Sequence, residues 1–137
     1  MGDNHAMSQL IETLQHMQKR PGMYFGDPVK AHSIRVLEAF ILGFQSGQHA
    51  ADKTNDFDCF REWVAVRYRI LADNQGVFDM ILERVAGDEE SAFDEFFLLL
   101  PDYVRDRNEM GWDGIQARFG EIQDELWKEF DKTIESQ

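Results

Sequence analysis

Cysteine is nearly absent from this chain, with one among 137 residues, and proline occurs only three times. Cys59 therefore has no internal disulfide partner, and no second cysteine completes a zinc site. Flanked by Asp58 and Phe60 in an apolar stretch, it reads as a buried thiol. Long hydrophobic runs are missing too. No stretch approaches the roughly 20 apolar residues that a membrane-crossing helix requires. The N-terminus also lacks the basic-then-apolar pattern of a signal peptide, so a cytoplasmic protein is expected. Basic residues are scarce, 14 Lys and Arg against 26 Asp and Glu, for a formal net charge of −12. Phosphate neutralisation needs Lys and Arg, so nucleic acid is not an expected partner, and an anionic membrane surface is disfavoured on the same ground.

The short signatures of catalysis are lacking as well. There is no Gly-rich phosphate loop, no Gly-x-Ser-x-Gly elbow and no Rossmann fingerprint. His5, His16, His32 and His49 are scattered, and none forms a pair that would place two ligands on one helical turn. The sequence thus offers no catalytic residue, no metal site and no cofactor. Carboxylates abound, but acid–base work needs two of them in one pocket with separated pKa values, which is a property of a fold and not of a spacing. Internal repeats and low-complexity tracts are absent.

What is present is the material of a core. Eleven Phe and three Trp stand in a chain that is 43% hydrophobic and 29% charged, the balance of a folded globule and not of a disordered acidic chain. The charge is divided unevenly. Residues 1–70 hold eight basic and eight acidic residues, whereas residues 71–137 hold six basic against eighteen acidic ones, so the second half carries the whole −12. A basic partner for that half is one reading, and solubility alone is the other.

Periodicity predicts an all-α protein, a single-domain bundle of about five or six helices over residues 8–137, with residues 1–7 as a leader or remnant. Ser8 can cap a helix over 8–20 that buries Leu10, Ile11, Leu14 and Met17. Lys19 and Arg20 suit its C-terminal dipole, and Pro21 and Gly22 stop it. Ser33 can cap a second helix with Ile34, Leu37, Phe40, Ile41 and Phe44 inward, ending near Gly47. Phe57, Phe60, Trp63, Val64 and Tyr68 fit a third. The alternation of Val64, Val66, Tyr68 and Ile70 also suits a short half-buried strand near 63–70, so both assignments stay open there. A short helix over 77–85 precedes Asp88, Glu89 and Glu90, which complement the N-terminus of a Phe-rich helix through Phe93, Phe96, Phe97, Leu100, Tyr103 and Val104. Pro101 is expected to kink or end that helix. Gly111 opens the last segment, where Trp112, Ile115, Phe119, Ile122, Leu126, Phe130 and Ile134 form a narrow stripe expected to pack on the protein's own core.

One local motif stands out. Lys19 to Pro28, with its Arg-Pro-Gly-Met-Tyr-Phe-Gly-Asp core, resembles the loop near the start of the ATPase domain of bacterial gyrase B and related type II topoisomerases, and Glu38 falls about where that family carries its catalytic Glu. The resemblance implies nucleotide hydrolysis only if an Asn for magnesium and an Asp-x-Gly-x-Gly segment follow. This chain has Ile41, Leu42 and Gly43 instead and no such glycine segment, so an ATPase is rejected and the loop reads as a structural turn.

The order of helix, Arg-Pro-Gly-Met-Tyr-x-Gly loop, second helix and acidic Phe-rich segment resembles small bacterial proteins, some of them similar to immunity partners of secreted polymorphic toxins. That resemblance implies a non-enzymatic protein that masks a basic toxin, with complementary charge steering the encounter. Arg20, Tyr24, Asp88, Glu89, Glu90, Asp94, Glu95, Asp124 and Glu125 are the candidate interface residues. The alternatives are an acidic adaptor that imitates nucleic acid and a homodimeric scaffold.

Overall fold

The computed structural model describes residues 9–20, 33–50, 57, 59–72 and 75–135, with side chains in the second of these stretches described through Ser46. Among them are five helices and no strand: α1 (Gln9–Lys19), α2 (Ile34–Ala50), α3 (Phe60–Tyr68), α4 (Val77–Arg84) and α5 (Glu89–Glu135). The all-α expectation is met, and one cluster of buried side chains runs through all five helices. No helix among the described residues is long and apolar enough to cross a membrane.

Each element follows from its apolar spacing. Leu10, Ile11, Leu14 and Met17 recur on the single buried face of α1, and Ile34, Leu37 and Ile41 do the same in α2. The Ser33 hydroxyl oxygen accepts the Val36 backbone N–H at 3.4 Å, the position of a helix N-cap. Ser8 and the loop 21–28 lie outside the described residues.

The strand alternative at 63–70 does not hold. A strand would turn Val64, Val66 and Tyr68 inward and Ala65 outward. Instead Trp63, Val64 and Ala65 are consecutive buried residues while Val66 and Tyr68 are only half-buried, the pattern of a helix lodged in a core. That helix ends on Arg69, left-handed at φ 53°, with the Ile70 N–H reaching back to the Ala65 carbonyl at 2.9 Å.

Helix α4 closes through Ala86 and Gly87, both at positive φ, and the Gly87 N–H donates to the Leu82 carbonyl at 2.9 Å. Asp88 then starts α5: its carboxylate accepts the Ser91 N–H at 2.9 Å and also the Ser91 hydroxyl. Those bonds hold the Asp88 carboxyl below its usual range.

Helix α5 is the spine against which α2, α3 and α4 pack. Its first arm supplies Phe93, Phe96, Phe97, Leu100 and Tyr103. Tyr103 lies at the centre of an aromatic cluster, stacked on Phe57 at 5.8 Å and edge-on to Phe60 at 4.9 Å and Trp63 at 5.7 Å. Pro101 neither ends nor divides the helix. Pro101 itself is exposed, and the one break falls at Gly111, with φ 72° and ψ 176°.

Candidate protein-binding surface

The sequence marks nine interface candidates, and the fold gives the side chains of four of them, Asp88, Glu89, Glu95 and Glu125, other partners. Tyr24 lies outside the described residues. Arg20 is exposed just past α1, where its backbone N–H donates to the His16 and Met17 carbonyls at 3.2 and 3.1 Å. Asp88 is the N-cap of α5. Glu89 accepts the Ser33 hydroxyl at 2.6 Å and so ties α5 to the start of α2. Glu95 accepts the Tyr68 hydroxyl at 2.5 Å. Burial first, and that bond second, raise the Tyr68 hydroxyl above its ordinary 10.0, so it stays protonated. Glu125 and Glu129 both receive the Arg69 guanidinium at 3.4 Å. Among the candidate carboxylates only Glu90, Asp94 and Asp124 remain exposed with no hydrogen bond or ion pair to the described residues. They do not converge on one patch, because Glu90 and Asp94 begin the first arm of α5 and Asp124 lies beyond the kink.

The charge division drawn along the sequence is thus redrawn in space. Arginines of the neutral half fold onto carboxylates of the acidic half: Arg35 on Asp79 at 2.6 Å, Arg67 on Asp102 at 2.7 Å, and Arg69 on Glu125 and Glu129. These side chains are 30–64% exposed, and the pairs contribute little each, about 0–1 kcal/mol. Their electrostatic consequence is larger, because Arg35, Arg67 and Arg69 are committed to internal partners. Asp113, Asp131 and Glu135 join Glu90, Asp94 and Asp124 as exposed carboxylates without an ion pair, all on α5. The Asp124–Lys128 pair that their spacing permits is not formed.

Glu38, placed by the gyrase-like spacing, pairs with Arg35 at 3.1 Å on its own helix. A shallow cleft of about 220 Å³ lies inside the kink between Trp63, Val66, Asp106, Met110, Ile115 and Arg118. There the Trp63 indole donates to Asp106 at 2.9 Å, which leaves that carboxylate engaged. Among the described residues no three His, Cys, Asp or Glu side chains converge as a metal ion would require.

The second arm of α5 departs from the expectation that its stripe packs on the core. Ile115 and Ile122 are buried and Phe119 and Leu126 partly so, but Trp127, Phe130 and Ile134 are 52%, 47% and 55% exposed. The cause is length. Helices α3 and α4, of 9 and 8 residues, are each only about 12–14 Å long, whereas the arm beyond Gly111 runs about 36 Å. Gln123 anchors it to the backbone of the body, its side-chain amide donating to the Ile70 carbonyl at 2.9 Å and accepting the Ala72 N–H at 2.8 Å; beyond it the arm is tied through part-buried Leu126 and through Arg69 on Glu125 and Glu129. From Trp127 to Glu135 every residue is exposed.

Trp127 is an exposed aromatic that the periodicity missed, since it falls off the core-facing line. A large aromatic beside, and not on, an apolar stripe was the available signal. It meets Phe130 edge-on, with ring centroids 5.6 Å apart. No family model matches the chain, and neither a curated protein nor a solved structure is similar to it.

Proposed function

We propose that this protein acts without catalysis, as a cytoplasmic binding module that engages a basic protein partner through α5. One observation supports the reading: Arg35, Arg67 and Arg69 of the first half are bound to carboxylates within the fold, while Glu90, Asp94, Asp113, Asp124, Asp131 and Glu135 stand exposed on α5 with no ion pair to the described residues. Such a field speeds encounter with a basic surface and disfavours acidic competitors. An immunity protein that neutralises a basic toxin is one form of this reading, the form that the order of its motifs resembles.

The test is capture from a lysate of the source cells at low and high salt, by the wild-type chain and by a Glu90→Lys/Asp94→Lys/Asp124→Lys variant. A basic protein should be retained by the wild type, lost as screening shortens to a few ångströms near 1 M salt, and retained poorly by the variant. Capture indifferent to both salt and charge reversal would refute the reading. A gene for a toxin beside this one would favour the immunity form, and its consistent absence among related genomes would count against it.

A further inference from the structure

Beyond Leu126 every residue of the terminal helix is exposed, with Arg69 on Glu129 as a tie to the body, yet the helix keeps a continuous apolar edge. Trp127, Phe130 and Ile134 are spaced at i, i+3 and i+7, so they share one side of the helix. The Trp127 and Phe130 rings already contact each other edge to face. Residues 124–135 span about 18 Å, some three turns. An exposed apolar patch of this kind, rimmed by charge, is the ordinary mark of a contact surface.

The charge on its rim decides what can cover it. At 3.6 residues per turn, Asp131 lies about 40° around the helix from Trp127, and Asp124 and Glu135 lie within about 40° of Asp131. All three are exposed and carry no ion pair to the described residues. Lys128 and Lys132 fall further round, away from the apolar edge. A second copy of this chain docking edge to edge would bring its own Asp124, Asp131 and Glu135 against these and add another −12 to the assembly. An acidic flank along one side of an aromatic edge fits the opposite sign.

We infer that residues 124–135 are the docking site for an amphipathic helix of a partner protein, one whose apolar face covers Trp127, Phe130 and Ile134 and whose flanking Lys or Arg meet Asp124, Asp131 and Glu135. The inference rests on the protein-binding reading above and assigns it a contact site and a partner chemistry. In the bound state Trp127 supplies the central desolvated anchor and the carboxylates fix orientation.

The experiment titrates a fluorescently labelled amphipathic Leu/Lys helical peptide with the full chain and follows anisotropy at near-physiological salt. A peptide of the same pattern with Glu in place of Lys is the sign control. Trp127→Ala should weaken the Leu/Lys peptide by about thirtyfold or more, the threshold of an interface hot spot at tenfold per 1.4 kcal/mol. Asp131→Lys should weaken it by about fivefold or more and flatten its salt dependence. Glu12→Lys, which changes net charge equally from an exposed position on α1, should leave it unchanged. These side chains are exposed, so circular dichroism melts of the variants should overlay the wild type.

Four results would each overturn the inference: equal binding of the Leu/Glu peptide, no effect of Trp127→Ala, an effect of Glu12→Lys as large as that of Asp131→Lys, or a dimer in sedimentation velocity that Trp127→Ala dissolves. Salt-sensitive capture of a basic partner without peptide binding would remove this docking site while leaving the broader reading standing. Loss of both would remove the two together.

Discussion

Three glycines on one arm of α5 should answer the same substitution in three different ways. Gly120 has helical backbone angles, and a Cβ added there meets nothing within 4 Å. Gly120→Ala therefore only removes the conformational freedom of the unfolded chain and should stabilise by about 0.5–1 kcal/mol. Gly111, nine residues earlier, also has open space around its missing Cβ, but its φ of 72° and ψ of 176° lie in a region almost reserved for glycine. Gly111→Ala should cost about 1–3 kcal/mol through the backbone alone. Gly114 fails for a third reason. A Cβ there would come within 2.9 Å of the Met110 Cβ, an atom fixed to the backbone across the kink, so Gly114→Ala must open the bend. That overpacking costs about 1–3 kcal/mol and outweighs a helix-propensity gain of about 1. With an unfolding entropy of about 2.1 cal/mol/K per residue over 137 residues, each kcal/mol moves Tm by roughly 3–4 °C. Thermal melts followed by circular dichroism should rise by about 2–4 °C for Gly120→Ala and fall by about 3–10 °C for Gly111→Ala. If Gly111→Ala melts at or above the wild type, α5 is straight in solution and the kinked spine is wrong.

Two further substitutions probe the core and the pH response. Tyr103→Ala removes the ring that meets Phe57, Phe60 and Trp63 and should destabilise by about 3–5 kcal/mol in denaturant titration. Tyr103→Phe, which keeps the ring, should avoid most of that loss. For Tyr68 the folded state favours the protonated phenol, so its contribution is intact below pH 10.0, its ordinary value, and declines as pH rises above it. The difference in stability between wild type and Tyr68→Phe should accordingly be flat from neutral pH to about 10 and shift against the wild type beyond it; a difference that instead changes between pH 5 and 8 would mean that another group governs this contact.

How far the sequence foretold this fold depends on what each signal measures. The run Phe93, Phe96, Phe97, Leu100 and Tyr103 located the first arm of α5, because a strong period places all its members on one buried face. Near 63–70 two periods overlapped, and only the full burial of Ala65 separates them, since a small apolar residue fits either face of a pattern. Periodicity also reports which residues share a side of a helix but not whether anything lies opposite. Ile122 and Phe130 read alike, yet one is covered and the other reaches past the short helices beside it. The carboxylates illustrate the same limit. Charge counting found the acidic half, but the pairs that engage Asp79, Asp102, Glu125 and Glu129 join residues 35 to 60 positions apart, separations that no local pattern encodes. Pro101 was the nominal breaker, but the helix carries it at an exposed position, whereas Gly111 adopts the backbone that the bend requires, φ 72° and ψ 176°.

Amide hydrogen exchange resolved by peptide, recorded for the protein alone and with the Leu/Lys peptide, tests most directly the claim that the end of α5 is an unpacked docking element. In the free monomer, residues 126–135 should exchange far faster than residues 92–103, because no core holds that part of the helix closed. Saturating peptide should slow 126–135 and leave 92–103 as they were. Core-level protection of 126–135 in the free monomer, or unchanged fast exchange in the complex, would contradict the account.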